Sequence, residues 1–465
     1  MTSTLVIDQG THASRAIVFS ASGKILSTAE QNIKLIKHSH SHIEQDPEEI
    51  LQSVHTVIHH ALTKTPGIIS NCALATQRST MLAWDKHSLK SLHPALSWQD
   101  RRSENDLQQF KPNEIMIREI TGLPLSAHYG AGKFRWLLEH LKLNTSDSCP
   151  SFSLGPLISF LLCHLSSKHQ NLVDHSNAHR TLLFDLYQLE WSEKLLELFE
   201  IDKKYLPACQ PVQSDYGTLM ETDIPVTCVS GDQNAALFSQ GSIPDKTAII
   251  NLGTGAFILT PCQRTVKTDT LLQGIARSNS HTEYLLEGTV NGAGAAISWA
   301  ERQWPVTRLY QHLSDWLSVI DHPPVFINTV GGLGSPWWIS GIEPYFLNTD
   351  QQPAIEPRYV AIIESIIFLL QHNLEQLNEH FDIRTLRVSG GLSQMDGLCQ
   401  KLANLSGCQV QRSDDTEATA RGAAWLAAGR PEHWSSPVAA RVFSPLSDTP
   451  LKQRYQCFSE EISRF

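Results

Sequence analysis

The order of apolar and polar positions along the chain predicts two similar hairpins in distant parts of the sequence. The first, Leu5–Phe19, is a β-branched run that ends in a Gly-Thr turn and is followed by a second apolar run. The second, Ala248–Leu259, repeats the same features in the same order. Two apolar runs joined by a tight turn of small residues are typical of a β-hairpin. Similar hairpins about 240 residues apart predict two related domains that each begin with this unit.

Helical periodicity dominates several segments between and after these hairpins. Pro47–Leu62 begins with proline at the first helical position, and Asp46 is its predicted N-cap. Lys133–Leu141 is a second predicted helix, and Tyr359–Phe381 is a third with apolar residues at helical spacing. Strands that alternate with helices predict an α/β architecture with a ligand cleft between domains.

Length and charge narrow the class of protein further. A chain of 465 residues exceeds one ordinary core, and we place a domain boundary near residues 240–246, which gives domains of residues 1–243 and 244–465. The formal net charge of −10 argues against nucleic acid or an anionic membrane as the main partner, since both require a basic surface.

The expected compartment follows from the N-terminus and the cysteines. Met1–Gln9 lacks the basic start and long apolar segment of a secretory signal. The most apolar stretches, Ile158–Leu165 and Ile362–Leu370, are too short or are interrupted by a charge, so we expect no membrane span. The nine cysteines are scattered singly, as is typical of reduced thiols, and we therefore expect a cytoplasmic protein.

The turn of the first hairpin carries groups suited to phosphate. Asp8 ends the predicted strand, Gly10 lets the backbone approach a ligand, and Thr11 adds a hydroxyl. Amides in such a turn bind phosphate, and the carboxylate can hold Mg²⁺ through water. Arg15, on the return strand, could reach phosphate oxygens. A plain hairpin turn is the alternative, but the repetition at Asn251–Gly255 favours two turns that grip a nucleotide from both sides.

Asp232 is the predicted catalytic carboxylate. It follows the apolar stretch Pro225–Val229 and begins a predicted helix. One interpretation is a helix N-cap. The other is a general base, since phosphoryl transfer needs a carboxylate that orients the attacking hydroxyl and takes its proton. The two roles are compatible.

The pair of turns resembles the phosphate loops of the actin, hexokinase and Hsp70 superfamily. Further segments narrow the resemblance to the FGGY carbohydrate kinase family, and within it to glycerol kinases. The resemblance runs from about residue 5 to about residue 428. The segments that carry it occur in the same order as in that family: Ile43–Pro47, Thr76–Arg78, Ser97–Arg102, Ser176–Phe184, Ser230–Phe238 and Gly332–Trp338. The resemblance implies two actin-like (ribonuclease H-like) domains around a central cleft. Dimers are common in that family, so a homodimer is one assembly that the resemblance allows.

The resemblance also implies an activity, cofactors and a set of site residues. The activity is ATP- and Mg²⁺-dependent phosphorylation of a polyol or sugar hydroxyl, with Asp232 as general base and Asp8 supporting the metal. The implied acceptor-binding residues are Gln77, Arg78, Trp98, His128, Gln233 and Phe257. The implied nucleotide-binding residues are Thr11, Ser14, Arg15, Thr254, Gly255, Gly294, Gly390, Gly391 and Met395.

Several positions depart from the glycerol kinase pattern. In the acceptor pocket, Ser79 replaces a glutamate that binds an acceptor hydroxyl, and His128 replaces a tyrosine. Loss of such a carboxylate can change discrimination between acceptors by orders of magnitude. On the nucleotide side, His12 and Ala13 replace hydroxyl residues of the first loop, and Met395 replaces an asparagine.

Three functions therefore stay open at the level of sequence. The first is phosphorylation of glycerol, and the second is the same reaction on a longer polyol or a ketose such as xylulose or ribulose. The third is a catalytically inactive nucleotide-binding protein of the same fold. The presence of Asp232 argues against the third, because a protein that performs no catalysis needs no base.

Overall fold

Strands and helices alternate through both halves of the chain. A computed structural model describes residues 2–65, 67–144, 152–263, 266, 268–339, 341–347, 354–413, 417–432, 434 and 441–465. In the first half the strands are β1 (Ser3–Gln9), β2 (Ala13–Phe19), β3 (Ile25–Asn32), β4 (Ile36–Lys37), β5 (Ile43–Gln45), β6 (Ile69–Thr76), β7 (Met81–Asp85), β8 (Ala95–Leu96), β9 (Phe152–Pro156), β10 (Leu172–Asp174), β11 (Phe184–Asp185), β12 (Glu190–Trp191), β13 (Ala208–Gln210) and β14 (Val226–Gly231). The helices of this half are α1 (Pro47–Thr63), α2 (Glu104–Leu107), α3 (Glu114–Thr121), α4 (Gly130–Asn144), α5 (Leu157–Leu165), α6 (His175–His179), α7 (Glu193–Leu198) and α8 (Asp232–Ala236).

The second half repeats the alternation. Its strands are β15 (Thr247–Leu252), β16 (Ala256–Cys262), β17 (Leu272–Ser278), β18 (Thr282–Val290), β19 (Phe326–Ile327), β20 (Tyr345–Phe346), β21 (Thr385–Ser389), β22 (Gln409–Arg412) and β23 (Arg441–Phe443). Its helices are α9 (Gly294–Gln303), α10 (Leu309–Val319), α11 (Ile355–Asn378), α12 (Asp396–Ser406), α13 (Ala418–Ala427) and α14 (Thr449–Ile462). The predicted α/β class is confirmed.

The two central sheets share one topology. The first has the strand order β14-β6-β1-β2-β3, in which β1, β2 and β3 are antiparallel neighbours and β6 and β14 continue the sheet in parallel. The second has the order β17-β18-β16-β15-β21-β22-β23, where β15, β16 and β18 are antiparallel and β21 and β22 are parallel to β15. Each sheet thus begins with the hairpin that the sequence predicts.

The register of the first sheet explains where the functional segments meet. Gln9 at the end of β1 pairs with Thr76 at the end of β6, which pairs with Gly231 at the end of β14. Because the carboxyl ends of parallel strands lie at one edge, the residues that follow each strand come together there. In the second sheet Asn251 pairs with Ser389 in the same way.

Most predicted helices are confirmed, with shifts at their ends. Helix α1 begins at Pro47, and the Asp46 carboxylate accepts the N–H of Glu48. The predicted Lys133–Leu141 lies inside α4. Helix α11 starts before the predicted segment and ends before Phe381. Pro357 lies in its first turn, where the missing N–H costs no hydrogen bond. None of the described helices is long and apolar enough to cross a membrane.

Helix α13 joins the two halves, because it belongs to the second half of the sequence and packs on the first sheet. Its residues form one buried cluster with apolar side chains of β1, β6 and α8, and the ring of Trp425 stacks on Phe238 at 5.9 Å. Gly422 permits the contact, since a Cβ there would overlap the carbonyl oxygen of Ala235 in α8. The first sheet thus packs against a helix from a distant part of the chain.

We expect Gly422→Ala to lower the free energy of unfolding by about 1–3 kcal/mol, because the added methyl group forces α13 away from α8. Chemical denaturation followed by tryptophan fluorescence measures the change. Gly391→Ala is the control, since a Cβ at position 391 meets no atom within 4 Å. Equal losses in both variants would contradict the packing argument.

Candidate active site

A cavity of about 550 Å³ lies between the two halves, where the carboxyl ends of the central strands meet. Many of the residues predicted for the site line it: Thr11, Gln77, Arg78, Trp98, His128, Asp232, Gln233, Thr254, Gly255 and Phe257. The other predicted residues are outside the cavity lining: Asp8, Ser14, Arg15, Gly294, Gly390, Gly391 and Met395. The cavity therefore combines the predicted acceptor residues with the tips of both turns.

Side chains from other segments of the first half hold the first turn in place. The Thr11 hydroxyl accepts the indole N–H of Trp98 at 2.9 Å, and the Thr11 carbonyl accepts the amide of Gln45 at 2.9 Å. The Gln77 amide donates to Oε1 of Gln9 at 3.1 Å and to Oε1 of Gln45 at 2.9 Å. The amide N–H groups of Gln77 and the indole N–H of Trp98 thus fix the turn.

The second turn lies against the beginning of α9. The N–H of Gly253 donates to the Gly255 carbonyl at 2.9 Å, and the N–H of Gly294 donates to the Gly253 carbonyl at 3.0 Å. A Cβ on Gly294 would lie 2.9 Å from that same oxygen, so the approach requires glycine. Gly390 has a φ of 91° and packs against Leu252, so its turn also needs glycine.

Two predicted nucleotide residues have side chains that are used inside the fold. The Ser14 hydroxyl is buried and shares a 2.7 Å hydrogen bond with the hydroxyl of Ser53 in α1. Met395 is buried at the position before α12. Only the backbone of Ser14 is left to contribute at the turn.

Asp232 lies at the junction of β14 and α8 and lines the cavity. The N-cap of α8 is Gly231, so Asp232 is its first helical residue, and its carboxylate accepts the N–H of Gln233 at 2.7 Å. The side chain is 29% exposed and lies 3.9 Å from Nε of Arg78. Withdrawal from bulk water raises the pKa of Asp232, while the positive charge of Arg78 opposes that rise.

Asp8 and Arg15 face each other across the first hairpin. They are paired residues of β1 and β2. Burial and the nearby charge of Asp232 raise the pKa of Asp8 to about 7, although Arg15 acts in the opposite direction. Arg15 pairs with Glu30 at 3.0 Å and with Glu417, next to α13, at 3.3 Å. The hairpin therefore contributes one carboxylate and one guanidinium group, and neither of them lines the cavity.

A buried charge network, formed by Arg78, Arg180 and Glu287, connects the two halves across the cavity. Arg180 donates from Nη2 to Oε2 of Glu287 at 2.7 Å, and both side chains are at most 3% exposed. Arg78 lies 3.9 Å from the same carboxylate and donates to the side chains of Asn234 and Gln233. Burial alone would raise the pKa of Glu287, but Arg180 and Arg78 hold it below its usual value.

One lysine binds both acceptor-pocket positions that depart from the glycerol kinase pattern, Ser79 and His128. The buried Lys133 donates to the carbonyl of Ser79 at 2.7 Å and to that of His128 at 3.0 Å. Ser79 has a φ of 62°, and its buried hydroxyl has no hydrogen-bond partner in the described chain. Burial and the surrounding cations, Arg101 first, lower the pKa of His128 well below its usual value, so the ring is neutral.

The cavity also contains residues that the sequence did not assign to the site: Arg101, Tyr129, Arg180, Glu287 and Trp338. Three of them, Arg101, Arg180 and Trp338, belong to segments that carry the family resemblance. The sequence therefore pointed to these segments but did not indicate which of their side chains line the cavity. Glu287 lies in the buried part of strand β18, directly after Leu285 and Leu286, where a charged residue needs a partner.

Comparisons with known proteins agree with this geometry. The model of the FGGY family of carbohydrate kinases, N-terminal domain, matches residues 3–239, and the model of its C-terminal domain matches residues 248–429. A glycerol kinase of Brevibacillus brevis is 32% identical over 469 residues, which cover 95% of this chain and 93% of that protein.

Solved structures show the same architecture. A glycerol kinase of Plasmodium falciparum with ADP superposes with a TM-score of 0.89 at 25% identity and covers 100% of this chain and 98% of that one. A xylulose kinase of Lactobacillus acidophilus has a TM-score of 0.88 at 19% identity, with coverage of 100% and 98%, and supports the fold alone. The predicted fold class, two actin-like domains around a cleft, is confirmed.

We expect Glu287→Gln to destabilise the protein by roughly 3–5 kcal/mol, because two buried guanidinium groups lose their shared carboxylate. The ion pair between the partly buried Arg135 and the exposed Glu200, at 2.8 Å, provides the control. Glu200→Gln should cost at most about 1 kcal/mol, as is usual for a surface ion pair. Denaturant titration measures both changes, and similar losses in the two variants would refute the role of the network.

Proposed function

Because this chain belongs to the FGGY family of carbohydrate kinases, we propose that it transfers the terminal phosphoryl group of ATP to a hydroxyl of a small polyol or sugar. The observation that carries the proposal is the position of Asp232. Its carboxylate lines a cavity that also contains both Gly-Thr turns and a set of side chains suited to hydroxyls. A base, an acceptor pocket and two phosphate-binding turns are the parts that this reaction needs.

Asp232 is the proposed general base. A carboxylate with a raised pKa is a stronger proton acceptor than one with its ordinary value, so the surroundings of Asp232 favour this role. It takes the proton from the acceptor hydroxyl as the oxygen attacks phosphorus. The nearby Arg78 keeps the carboxylate charged and oriented.

The acceptor is positioned mostly by the first domain, residues 1–243, with Phe257 of the second domain as a further contact. Arg78 and Gln233 offer a guanidinium group and an amide that can bind neighbouring hydroxyls, while Trp98 and Phe257 present aromatic faces to C–H groups. His128 is a neutral ring whose centroid lies 6.0 Å from that of Trp98, edge to face, and it lines the cavity next to Trp98. Gln77 fixes the first turn relative to these residues.

The nucleotide is held mostly by the second domain, residues 244–465. The backbone amides at Thr254 and Gly255, the start of α9 at Gly294 and the turn at Gly390 surround the end of β15. Amides in glycine turns are well suited to phosphate oxygens, while the N–H of Gly294 holds the turn in place through the Gly253 carbonyl. Arg15 with the amides near Thr11 offsets the charge of the transferred group from the opposite side.

The residues present fit a magnesium ion bound with the nucleotide. No group of three His, Cys, Asp or Glu side chains among the described residues is arranged to hold a metal. Mg²⁺ suits such a site, because it keeps several waters and binds through one or two carboxylates plus substrate phosphates. Asp8 is the carboxylate that we assign to it, and the ion would neutralise charge on the phosphates.

A longer polyol or a ketose such as xylulose or ribulose is the second candidate acceptor. The observation that favours it is the small side chain of Ser79, next to Arg78, whose buried hydroxyl has no hydrogen-bond partner among the described residues. A neutral His128 beside it adds a hydrogen-bonding ring to the pocket. Both changes alter the acceptor end and leave the phosphate turns intact.

We expect ADP release from ATP and Mg²⁺ to accelerate in the presence of at least one acceptor from a panel of glycerol, erythritol, ribitol, xylulose, ribulose and sedoheptulose. Asp232→Asn should reduce this rate by about 100-fold or more, because the general base is lost. Binding of ATP, measured by calorimetry, should be retained. Full activity in the variant would exclude Asp232 as the base, and absence of any acceptor-stimulated rate would exclude the proposed activity.

We expect Mg²⁺ to bind the protein–ADP complex more tightly as the pH rises through about 7. Below this value the Asp8 carboxyl, whose pKa is raised to about 7, is largely protonated and carries no charge for the metal. Above it the charged form predominates, so the sign of the effect is tighter binding at higher pH. Calorimetric titration measures it, and Asp8→Asn should remove the pH dependence. The same dependence in the variant would assign it to another group.

A further inference from the structure

Asp174 is a fully buried carboxylate that lies outside the cavity, where β10 ends and α6 begins. Four neutral donors surround it: the N–H and the hydroxyl of Ser176, and the N–H and the side-chain amide of Asn177. Burial raises the pKa of Asp174 to about 6, although these hydrogen bonds act in the opposite direction. A carboxylate in such surroundings is destabilising unless its contacts compensate it, so the contacts indicate its role.

Capping of α6 accounts for only two of these contacts. The N–H groups of Ser176 and Asn177 are the ones that an N-cap carboxylate accepts. The Ser176 hydroxyl donates to Oδ2, the same oxygen that accepts the Ser176 N–H at 2.9 Å. A hydroxyl has one proton, so this bond fixes its direction and leaves the oxygen lone pairs for a second partner.

That second partner is the N–H of Gly231, whose nitrogen lies 2.9 Å from Oγ of Ser176. Both residues are buried. Gly231 ends β14 and is the N-cap of α8, and the next residue is Asp232. The serine thus binds the backbone at the junction that carries the proposed base.

The other side of Gly231 is closed by Arg78. A Cβ at position 231 would lie 2.6 Å from both Cγ and Cδ of Arg78, so this approach requires glycine. Gly231 also pairs with Thr76 at the end of β6. The backbone before Asp232 is therefore held between Oγ of Ser176 and the aliphatic part of Arg78.

The Asp232 carboxylate depends on this backbone for its position. It accepts the N–H of Gln233 at 2.7 Å, whereas Nε of Arg78 is 3.9 Å away, beyond hydrogen-bond distance. The side chain is short, so a shift of the backbone moves the carboxylate with it. Ser176 does not line the cavity and can affect the reaction only through Gly231.

We propose that Ser176, oriented by Asp174, is a positioning residue for Asp232: its hydroxyl binds the N–H of Gly231 and thereby fixes the carboxylate within reach of the acceptor hydroxyl. This inference rests on the proposed kinase function and adds residues that place its base without touching the substrate. A general base acts only within hydrogen-bond reach of the proton that it takes, and a misplacement of about 1 Å can lower the rate about 100-fold.

We expect Ser176→Ala to lower kcat about tenfold or more, while KM for ATP and for the best acceptor changes less than about twofold. The N–H of Gly231 loses its acceptor in this variant, which releases the backbone before Asp232. Steady-state ADP release measures both constants. Ser176→Thr keeps the hydroxyl and should restore most of kcat, and Ser176→Cys, with a weaker acceptor, should lie between the wild type and Ser176→Ala.

Ser166→Ala is the matched control. The Ser166 hydroxyl is also buried, donates to the carbonyl of Tyr216 at 2.6 Å and accepts the N–H of Lys168 at 3.4 Å, outside the cavity. This variant should lose about as much stability in denaturant titration as Ser176→Ala and keep the wild-type kcat. Asp174→Asn should lower kcat in the same direction as Ser176→Ala, because the Ser176 hydroxyl loses its charged acceptor.

The outcomes separate this inference from the function on which it rests. A wild-type kcat in Ser176→Ala, or an equal loss of kcat in Ser166→Ala, would overturn the positioning role and leave the kinase function standing. An unchanged kcat in Asp174→Asn would overturn the part assigned to Asp174. If the wild type shows no acceptor-stimulated ADP release, both the inference and the proposed function fail. The Thr and Cys variants decide the role of the hydroxyl even if Ser176→Ala does not fold.

Discussion

The two halves of the protein depend on one buried charge network, in which Arg180 and Arg78 share the carboxylate of Glu287. Arg180 and Arg78 come from the first half, and Glu287 comes from the second. Buried charges are tolerated only when they are paired, so the halves must meet in the one arrangement that brings these groups together. That arrangement also sets Arg78 beside Asp232. The charge pairing that closes the cleft therefore also orients the proposed acceptor site and its base.

The register of the central strands is the second constraint on the site, because it determines which segments meet at the edge of each sheet. The ends of β1, β6 and β14 are aligned as neighbours, and the segments after them carry the first turn, Arg78 and Asp232. The second sheet brings its own turn and the Gly390 turn together in the same way. Glycine is needed at these approaches because the backbone leaves no space for a side chain. Two copies of one topological unit thus produce a cleft with a Gly-Thr turn on each side.

The acceptor end is where this chain differs from the glycerol kinase pattern, and the differences are physically connected. Lys133 binds the backbone of both Ser79 and His128, so the two altered positions belong to one structural unit. Neither side chain carries a negative charge, and Arg101 is the cation with the largest effect on the pKa of His128. Acceptor choice can therefore change while the chemistry of phosphoryl transfer stays the same.

The sequence by itself determined the α/β class, both hairpins, the cap of α1 and the position of Asp232 at the start of a helix, because these depend on local periodicity and on short motifs. It did not reveal that α13 completes the first sheet, that Ser14 bonds to Ser53, or that Glu287 compensates two arginines. Those features depend on contacts between residues far apart in the chain. Side-chain pairing and burial across such distances leave no periodic signal in one sequence, so only the tertiary structure decided them.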